Sequence, residues 1–502
     1  MSEDLQRVLN GLMGGDNKTR KAAEGYFELQ LEQNPLGTTQ DLVTLLSNAN
    51  APAHLRSFAG VLIRRAIEKS TFGPDLDAQL RAALLSIWKI ERDPTLLKRL
   101  AHAMAQSAMK KDSPWSDLLI QVIEFASVPG LDAVVVIPAV VLIEVLTQYC
   151  PSMILANLQR LGPFLGALLV DTNPLVQASC TRATCACIVS LTDDNARNAF
   201  KPALQQIINI LGQILGRGDE SEATAIMEYL VYIAQDQPIF FKESIDNVVA
   251  AMLTVARACD LEFPTRSIAL ELMVTLSETA PALARRCPGL VDGLVPLAMS
   301  IILEVDEAED SWVRGKYMSE PEDDENYFVG EEALERAAAG MGGRVLVPST
   351  FCLAQQYVVR SEWAARRAAI SGLCRLAEGC AKSFKSYLPS ALKFLETALV
   401  DPSPRVCYQA LETIGRFANL FPQSVPEMIG LFILTMITLI QAPATCERVR
   451  GHALGALIDL TDPEYCAVNV LESHVEPLLR ALSGCLQVAS MEVQPLCLDL
   501  LG

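Results

Sequence analysis

The chain has 502 residues, of which 51% are hydrophobic and 6% aromatic, and its formal net charge is −18. This supply of Ala, Leu, Ile and Val excludes disorder over most of the chain. The acidic balance argues against a nucleic-acid binder, because phosphate contacts need clustered Lys and Arg. Basic proteins are the expected partners.

The N-terminus begins with Met1 and two early acids, Glu3 and Asp4, without an apolar segment, so no secretory or transit peptide is expected. Residues 4–12 are predicted to form a capping helix. The longest apolar runs, residues 133–143 and 428–440, are shorter than the roughly 18–20 residues that cross a bilayer. We therefore interpret both as buried core helices.

A helical repeat follows along the chain. Ala410 lies 41 residues after Ala369, and Ala453 lies 43 residues after Ala410, each within an amphipathic stripe. Weaker helix starts occur upstream near Asn173 and Phe263, and no sustained two-residue alternation competes. This spacing predicts an all-α superhelical solenoid of HEAT repeats, with helix pairs of about 40–43 residues and roughly a dozen pairs.

First helices of pairs are predicted, for example, at residues 200–215, 240–258, 384–399 and 426–440. Arginines cluster at the starts of the second helices, where HEAT repeats use Asp–Arg ladders between neighbours. Asp401 is the expected acidic partner, either for Arg405 or for an adjacent repeat. The arginines in question are Arg366, Arg367, Arg405, Arg448 and Arg450.

An acidic insertion interrupts the repeats at residues 306–332, where 11 Asp and Glu residues accompany only Arg314 and Lys316. A disordered, solubilising linker is one interpretation. Trp312, Tyr327 and Phe328 favour another, in which the insertion packs back on the solenoid or onto a partner. Its densest acidic run is Glu322, Asp323, Asp324 and Glu325.

Enzyme signatures are missing from the sequence. The 14 Cys include no CxxC pair, so we expect reduced thiols at buried positions, and the four His are far apart. The segment Gly340-Met341-Gly342-Gly343 lacks the Lys-Ser/Thr of a phosphate loop and is predicted to be a turn between helices. We expect no catalysis, no cofactor and no metal site.

Several segments together resemble the importin-β karyopherins, and in particular their importin-five branch, which in yeast imports ribosomal proteins and histones. Members are about twice as long as this chain, so the resemblance covers their N-terminal half. The chain also ends inside an apolar helix, from which we expect a longer solenoid. The segments are residues 20–24 (RKAAE), 55–65 (LRSFAGVLIRR), 274–280 (VTLSETA), 332–336 (EALER) and 340–348 (GMGGRVLVP).

The resemblance implies a nuclear import receptor that shuttles between cytoplasm and nucleus. Its partners would be basic cargo such as ribosomal proteins or histones, Phe-Gly nucleoporins, and Ran-GTP, whose binding releases cargo. Direct nucleic-acid binding and membrane insertion are not expected. The implied regions are residues 1–110 for Ran, 111–305 for nucleoporins, the insertion 306–332, and 333–502 as the start of the cargo-binding arch.

The resemblance also implies site residues. Ran would contact the second helices near residues 16–31, 52–69 and 94–110, and the insertion would contact Ran or cargo. Shallow pockets for Phe rings are expected on first helices at residues 161–169, 207–215 and 248–255, where core packing also explains the side chains. The implied Ran residues are Arg20, Glu24, Arg56, Arg64 and Arg65, and those of the insertion are Trp312, Glu322, Asp323, Asp324 and Glu325.

Two alternatives remain open from the sequence. A constitutive HEAT scaffold, such as a phosphatase regulatory subunit or a chromosome-organising arm, shares the repeat period but needs no acidic insertion. An export karyopherin shares the whole architecture and differs in the sign of coupling, since Ran-GTP would then strengthen cargo binding.

Overall fold

The computed structural model describes residues 3–501, apart from 71, 111–113, 129, 306–308 and 316–324, and over these residues the chain is all-α. It divides into two compact units, Met1–Ile233 and Ala234–Gly502. The helices of the N-terminal unit are α1 (Glu3–Met13), α2 (Asn17–Gln33), α3 (Pro35–Ser47), α4 (Ala53–Lys69), α5 (Pro74–Ile90), α6 (Pro94–Ala108), α7 (Leu118–Ala126), α8 (Ala133–Tyr149), α9 (Pro151–Ala156), α10 (Leu158–Leu168), α11 (Pro174–Ser190), α12 (Asp194–Asn198) and α13 (Leu204–Gly216).

Helix α14 (Glu220–Asp236) contains the boundary between the units, and three short 3₁₀ helices occur at Lys201–Ala203, Pro238–Phe241 and Pro422–Ser424. The helices of the C-terminal unit are α15 (Ile245–Arg257), α16 (Phe263–Thr279), α17 (Pro281–Ala284), α18 (Pro288–Ile302), α19 (Glu309–Arg314), α20 (Glu325–Met341), α21 (Gly343–Tyr357), α22 (Trp363–Phe384), α23 (Leu388–Ala398), α24 (Pro404–Leu420), α25 (Val425–Gln441), α26 (Glu447–Thr461), α27 (Val468–Leu471), α28 (Val475–Val488) and α29 (Gln494–Asp499).

Local sequence explains where many helices begin. In α6 the Asp93 carboxylate accepts hydrogen bonds from the backbone N–H of Thr95 (2.8 Å) and Leu96 (3.1 Å), and Pro94 occupies the first helical position. Such a cap satisfies donors that have no partner inside the helix, and proline fits there because its missing N–H needed none. Asn173 caps α11 in the same way, which confirms the helix start predicted there.

Helix pairs stack in sequence within each unit. In the N-terminal unit the second helices α4, α6, α8 and α11 pack one on the next, and in the C-terminal unit α16, α20, α22, α24 and α26 do the same. We call these the second-helix layers. Ala369, Ala410 and Ala453 are fully buried on α22, α24 and α26, so the predicted repeat register and the HEAT-repeat solenoid fold are confirmed.

Some predicted boundaries are wrong by several residues. The predicted first helix at 384–399 begins at Leu388 instead, because α22 continues to Phe384 through a kink at Cys380. Phe384 packs edge-on against Phe417 (5.6 Å between ring centroids), which holds it in the preceding helix. The predicted helix at 200–215 begins with a 3₁₀ turn and becomes α-helical at Leu204.

Helix α25 is one of the most apolar long helices. With the preceding 3₁₀ turn, Pro422–Gln441 spans 20 residues and passes a length and composition test for a membrane span, so the helix is longer than the apolar run in the sequence indicates. Met428, Phe432 and Met436 are nevertheless fully buried against the neighbouring helices of the unit. The packing is that of a core helix, as predicted.

The cysteines are free thiols, and most are buried. Burial raises the pKa of Cys180 and of Cys407 to about 12, so these thiols stay protonated and unreactive. Cys259 and Cys352 are exposed, so the expectation of uniformly buried thiols is wrong for these two. Among the described residues no His, Cys, Asp and Glu side chains cluster in a way that would hold a metal ion.

Candidate functional site

A recurring arginine links neighbouring repeats in both units. Near the start of α4, Arg56 donates from Nε (3.2 Å) and Nη2 (3.0 Å) to the carbonyl oxygen of Leu46 at the end of α3, and it also pairs with Glu91 beyond α5. Arg266 repeats the arrangement with the carbonyl of Ala256 and the carboxylate of Glu304. Each such arginine satisfies a helix-end carbonyl and joins one repeat to the next.

The predicted ladder is confirmed for Arg366, whose Nε and Nη2 donate to the Asp401 carboxylate at 2.6 and 2.8 Å. Asp401 therefore pairs with an adjacent repeat and not with Arg405. Arg450 donates to the carbonyls of Ile440, Ala442 and Thr445, so it satisfies a helix end.

Aromatic rings lie against the guanidinium groups of the other three arginines of the predicted ladder, Arg367, Arg405 and Arg448. Arg367 lies 4.0 Å from the ring centroid of Tyr327, and its closest carboxylate oxygen, on Glu331, is 3.7 Å away. Arg405 and Arg448 lie 5.5 and 5.1 Å from the ring of Trp312. These are cation–π distances, and all three arginines are buried.

Trp312 is the centre of an aromatic–arginine cluster at the N-terminal ends of α22, α24 and α26. Its ring meets that of Tyr408 edge-on, with centroids 5.3 Å apart and an interplanar angle of 85°. Tyr408 in turn packs on His452 (3.9 Å), and Arg405 also lies 4.9 Å from the ring of Trp363. We define the aromatic–arginine cluster as Trp363, Arg405, Tyr408, Arg448 and His452, with Trp312 packed on it.

The described parts of the insertion are ordered and helical. Trp312 belongs to the six-residue α19 and is only 7% exposed, so the insertion packs back on the solenoid here, and the disordered-linker interpretation is wrong for this part. Tyr327, also 7% exposed, and the half-exposed Phe328 belong to the first turn of α20. Glu322, Asp323 and Asp324 lie outside the described residues, and Glu325 begins α20.

Farther along the same helices runs an acid–arginine row. On α22, Arg375 donates to the Glu331 carboxylate of α20 (2.9 Å) and to Glu378 (2.9 Å). On α24, Arg416 pairs with Glu378 and with Glu412 (2.8 Å). We define the acid–arginine row by the four carboxylates and two guanidinium groups that share these contacts: Glu331, Glu335, Arg375, Glu378, Glu412 and Arg416.

The acid–arginine row remains partly open to solvent. The side chains of Glu335 and Arg416 are 42% and 34% exposed, whereas Glu331 is buried. Partial burial and the neighbouring Glu378 raise the pKa of Glu335, and the row as defined holds more carboxylates than guanidinium groups. A basic side chain placed beside Glu335 would relieve this repulsion, so the row has the electrostatics of a site for cationic segments.

The implied Ran residues fall into two groups. Arg20, Glu24 and Arg64 are exposed on α2 and α4. Arg65 pairs with Glu28, and Arg56 is one of the repeat-linking arginines described above, so both already serve the fold. The structure therefore brings Arg65 of α4 together with Glu28 of α2, the helix that carries Arg20 and Glu24.

Sequence reasoning missed two basic residues on the next second helix, Lys98 and Arg99, both exposed on α6. Burial lowers the pKa of His102, and the charges of Arg64, Lys98 and Arg99 lower it further. These three cations thus share one neighbourhood across α4 and α6. Their place on a predicted second helix was the signal available in the sequence.

The expected Phe pockets are filled by core packing. Leu161, Leu165, Ile207 and Val248 are all at most 1% exposed, so the segments predicted at 161–169, 207–215 and 248–255 face the interior at these residues. A cavity of about 470 Å³ lies instead between the first helices α3 and α5. Its apolar lining includes Leu36, Val43, Phe72, Leu76, Leu80 and Ala83.

Comparisons with known protein families match three parts of the chain. Residues 93–251 match the family described as IPO5-like, TPR repeats, residues 258–348 match the importin repeat, and residues 363–417 match a HEAT-like repeat. The importin-repeat match thus ends close to Gly342. This glycine has a φ of 85° and forms the predicted turn between α20 and α21.

Two importins are similar to this chain in sequence. The chain is 25% identical over 422 residues to importin subunit beta-3 of Saccharomyces cerevisiae, covering 83% of this chain and 38% of the relative. It is 21% identical over 407 residues to a probable importin-5 homolog of Dictyostelium discoideum, covering 76% of this chain and 36% of that protein. The chain therefore spans less than two fifths of the length of these relatives.

Solved structures of Kap121p share the fold. The crystal structure of Kap121p superposes with a TM-score of 0.85 at 24% identity, covering 98% of this chain and 48% of Kap121p. Kap121p bound to RanGTP gives a TM-score of 0.84 over the same shares. The chain carries importin repeats and is homologous to importin subunit beta-3, so its resemblance to the importin-five branch of the importin-β karyopherins is confirmed.

Proposed function

We propose that this chain is the N-terminal part of a nuclear import receptor. In this role it binds basic cargo in the cytoplasm, crosses the pore through Phe-Gly nucleoporins, and releases cargo when Ran-GTP engages its first repeats. The observation that carries the proposal is the homology to importin subunit beta-3 across 83% of the chain. Kap121p, whose fold it shares, has been solved with RanGTP, with Pho4p and with Nup53p.

Three surfaces support three parts of this cycle. The exposed carboxylates of the acid–arginine row suit Lys-rich or Arg-rich cargo such as ribosomal proteins or histones. The cavity between α3 and α5 has a mixed lining, with apolar side chains such as Leu36, Phe72 and Leu80, and lies between adjacent first helices, which suits a Phe ring of a Phe-Gly repeat. The exposed Arg64, Lys98 and Arg99 on α4 and α6 suit an acidic face of Ran.

Ran binding extends to the exposed Arg20 and Glu24 on α2, which lies beside α4 through the Arg65–Glu28 ion pair. The acidic run of the insertion, from Glu322 to Glu325, adds charge for Ran or cargo. The chain acts by binding and not by catalysis, and its location alternates between cytoplasm and nucleus.

Direct binding to Ran tests the proposal. The purified chain is titrated with Ran loaded with GTP and, in parallel, with Ran loaded with GDP. A preference for the GTP form of at least a hundredfold is expected. The double variant Arg64→Glu/Arg99→Glu should weaken Ran-GTP binding at least tenfold, because it reverses two charges at the contact.

A matched control keeps this experiment specific. Arg217→Glu reverses an equally exposed charge at the end of a first helix, α13, away from the second-helix layer, and should leave Ran binding unchanged. Equal binding of both nucleotide states, or no binding of either, would contradict the proposal and favour a constitutive HEAT scaffold.

A further inference from the structure

The aromatic–arginine cluster has the composition of a binding site and already contains an occupant from its own chain. Two buried guanidinium groups, Arg405 and Arg448, and the ring of Tyr408 surround the indole of Trp312 on three sides. These side chains come from two consecutive second helices, α24 and α26. Indole over guanidinium and edge-on to phenol is how proteins hold a recognised aromatic side chain.

The occupant belongs to a very short helix. Helix α19 has only six residues, Glu309–Arg314, and a helix so short does not persist in water by its own backbone hydrogen bonds. Its order depends on docking against the second-helix layer, where it contacts α26. Trp312, at 7% exposure, is the side chain that fills the site, whereas Arg314 on the same helix is exposed.

The docking is close at the end of α19 as well. A Cβ atom built on Gly315 would lie 2.3 Å from Nη2 and 2.7 Å from Cζ of Arg448, so the backbone passes directly over this guanidinium group. A side chain at position 315 would require either this guanidinium group or the segment itself to shift. Gly315 and Trp312 thus both contribute to the contact with Arg448.

Charge identifies the kind of segment that fits. The cluster contributes two cations, and burial lowers the pKa of His452 so that this ring adds no charge at neutral pH. The residues that precede Trp312 in α19 are Glu309, Asp310 and Ser311. An acidic segment with a tryptophan is thus the ligand that the cluster selects, and it is opposite in charge to the basic segments that suit the acid–arginine row.

We propose that the aromatic–arginine cluster is a second protein-binding site, specific for an acidic partner segment that carries a tryptophan, and that Trp312 occupies it as an intramolecular competitor. A partner segment binds by displacing α19. Because Trp312 is tethered, its effective concentration at the site is high, and only a partner of sufficient affinity displaces it. The site is distinct from the acid–arginine row and does not depend on Ran binding.

The probe is a fluorescent peptide of residues 303–315, which carries the occupant's own sequence. It should bind the Trp312→Ala chain, whose site is vacated, at least tenfold more tightly than the unchanged chain. The same peptide with alanine at the tryptophan position should bind neither chain. Adding Arg448→Gln to the Trp312→Ala chain should abolish binding, whereas adding Arg480→Gln, on the exposed face of α28, should not.

A second route vacates the site without touching the tryptophan. Gly315→Val crowds the Arg448 guanidinium group and should weaken the seating of α19, so this chain should also bind the peptide more tightly than the unchanged chain. Circular dichroism confirms that each variant keeps its helicity. Equal peptide affinity for the unchanged and vacated chains, or no binding to either folded variant, would overturn the proposal and leave Trp312 as a structural anchor only.

Discussion

The two ends of the second helices in the C-terminal unit carry opposite chemistry. At their N-terminal ends, buried arginines lie against aromatic rings, and α19 covers them. Farther along, carboxylates outnumber arginines and remain partly exposed. The same helices thus use one end for an internal contact and carry partly exposed carboxylates farther along, so position along the helix decides the surroundings of a charge.

The largest effect should follow from breaking a helix that both regions share. Ala410 is fully buried on α24 between Arg405 and Arg416. Ala410→Asp would bury a carboxylate in an apolar helix face. We therefore expect the free energy of unfolding to fall by about 4 kcal/mol or more, with local unfolding of the unit. Thermal melting followed by circular dichroism measures it.

The control for this change is Ala250→Asp, which places the same carboxylate at an exposed position of α15 in the same unit. It should shift the thermal midpoint by no more than a few degrees. An Ala410→Asp chain that melts like the control would refute the repeat register assigned to α22, α24 and α26.

The next prediction compares one arginine from each region. Arg405, 5% exposed and flanked by Trp312 and Trp363, should be worth about 2–3 kcal/mol of unfolding free energy when replaced by alanine. Arg416, with a third of its side chain exposed, should be worth less than about 1 kcal/mol. Urea unfolding of Arg405→Ala and Arg416→Ala measures both, and equal losses would remove the distinction between the regions.

For binding of a basic peptide, we expect the acid–arginine row to matter more than the aromatic–arginine cluster. Glu335→Gln/Glu412→Gln removes two carboxylates of the acid–arginine row and should weaken binding of a Lys-rich peptide about tenfold and reduce its salt dependence. Stability should change little, since these side chains are partly exposed. Fluorescence anisotropy at two salt concentrations measures the effect.

Glu396→Gln/Glu427→Gln is the matched control, because it removes two exposed carboxylates from the first helices α23 and α25. This control alters net charge by the same amount. If this control weakens binding of the Lys-rich peptide as much as the row variant does, the peptide is attracted by the overall charge of the chain and not by the acid–arginine row.

The smallest effect concerns pH. Burial lowers the folded-state pKa of His452 below its ordinary value of 6.5, despite the nearby Glu412. Below about pH 6.5 the unfolded chain therefore binds the proton more readily, and stability falls as pH decreases through that value. His452→Gln should make the thermal midpoint fall less between pH 7.5 and 5.5, whereas His54→Gln, at an exposed position, should not.

Much of the fold follows from local patterns in the sequence. The stripe through Ala369, Ala410 and Ala453 gives the period, and caps such as Asn173 give the helix starts, because both depend on residues close in sequence. The even spacing of Arg405 and Arg448 also places them at equivalent positions on consecutive helices. These features were predictable from the sequence alone.

The docking of Trp312 was not predictable to the same degree. It depends on contacts with residues about 90 to 140 positions away, Arg405 and Arg448, and neither periodicity nor charge indicates where a six-residue helix in an insertion will dock. For the same reason the sequence did not indicate that Arg56 pairs with Glu91 and with the carbonyl of Leu46. Long-range packing decides such roles.

The most direct test of the import account is release of cargo by Ran. A fluorescent Lys-rich peptide is bound to the chain, and Ran-GTP or Ran-GDP is then added at near-physiological salt while anisotropy is followed. The account predicts that Ran-GTP displaces the peptide and that Ran-GDP does not. Retention of the peptide with both forms would indicate a constitutive scaffold, and tighter binding with Ran-GTP would indicate an export receptor, so either result would contradict the account.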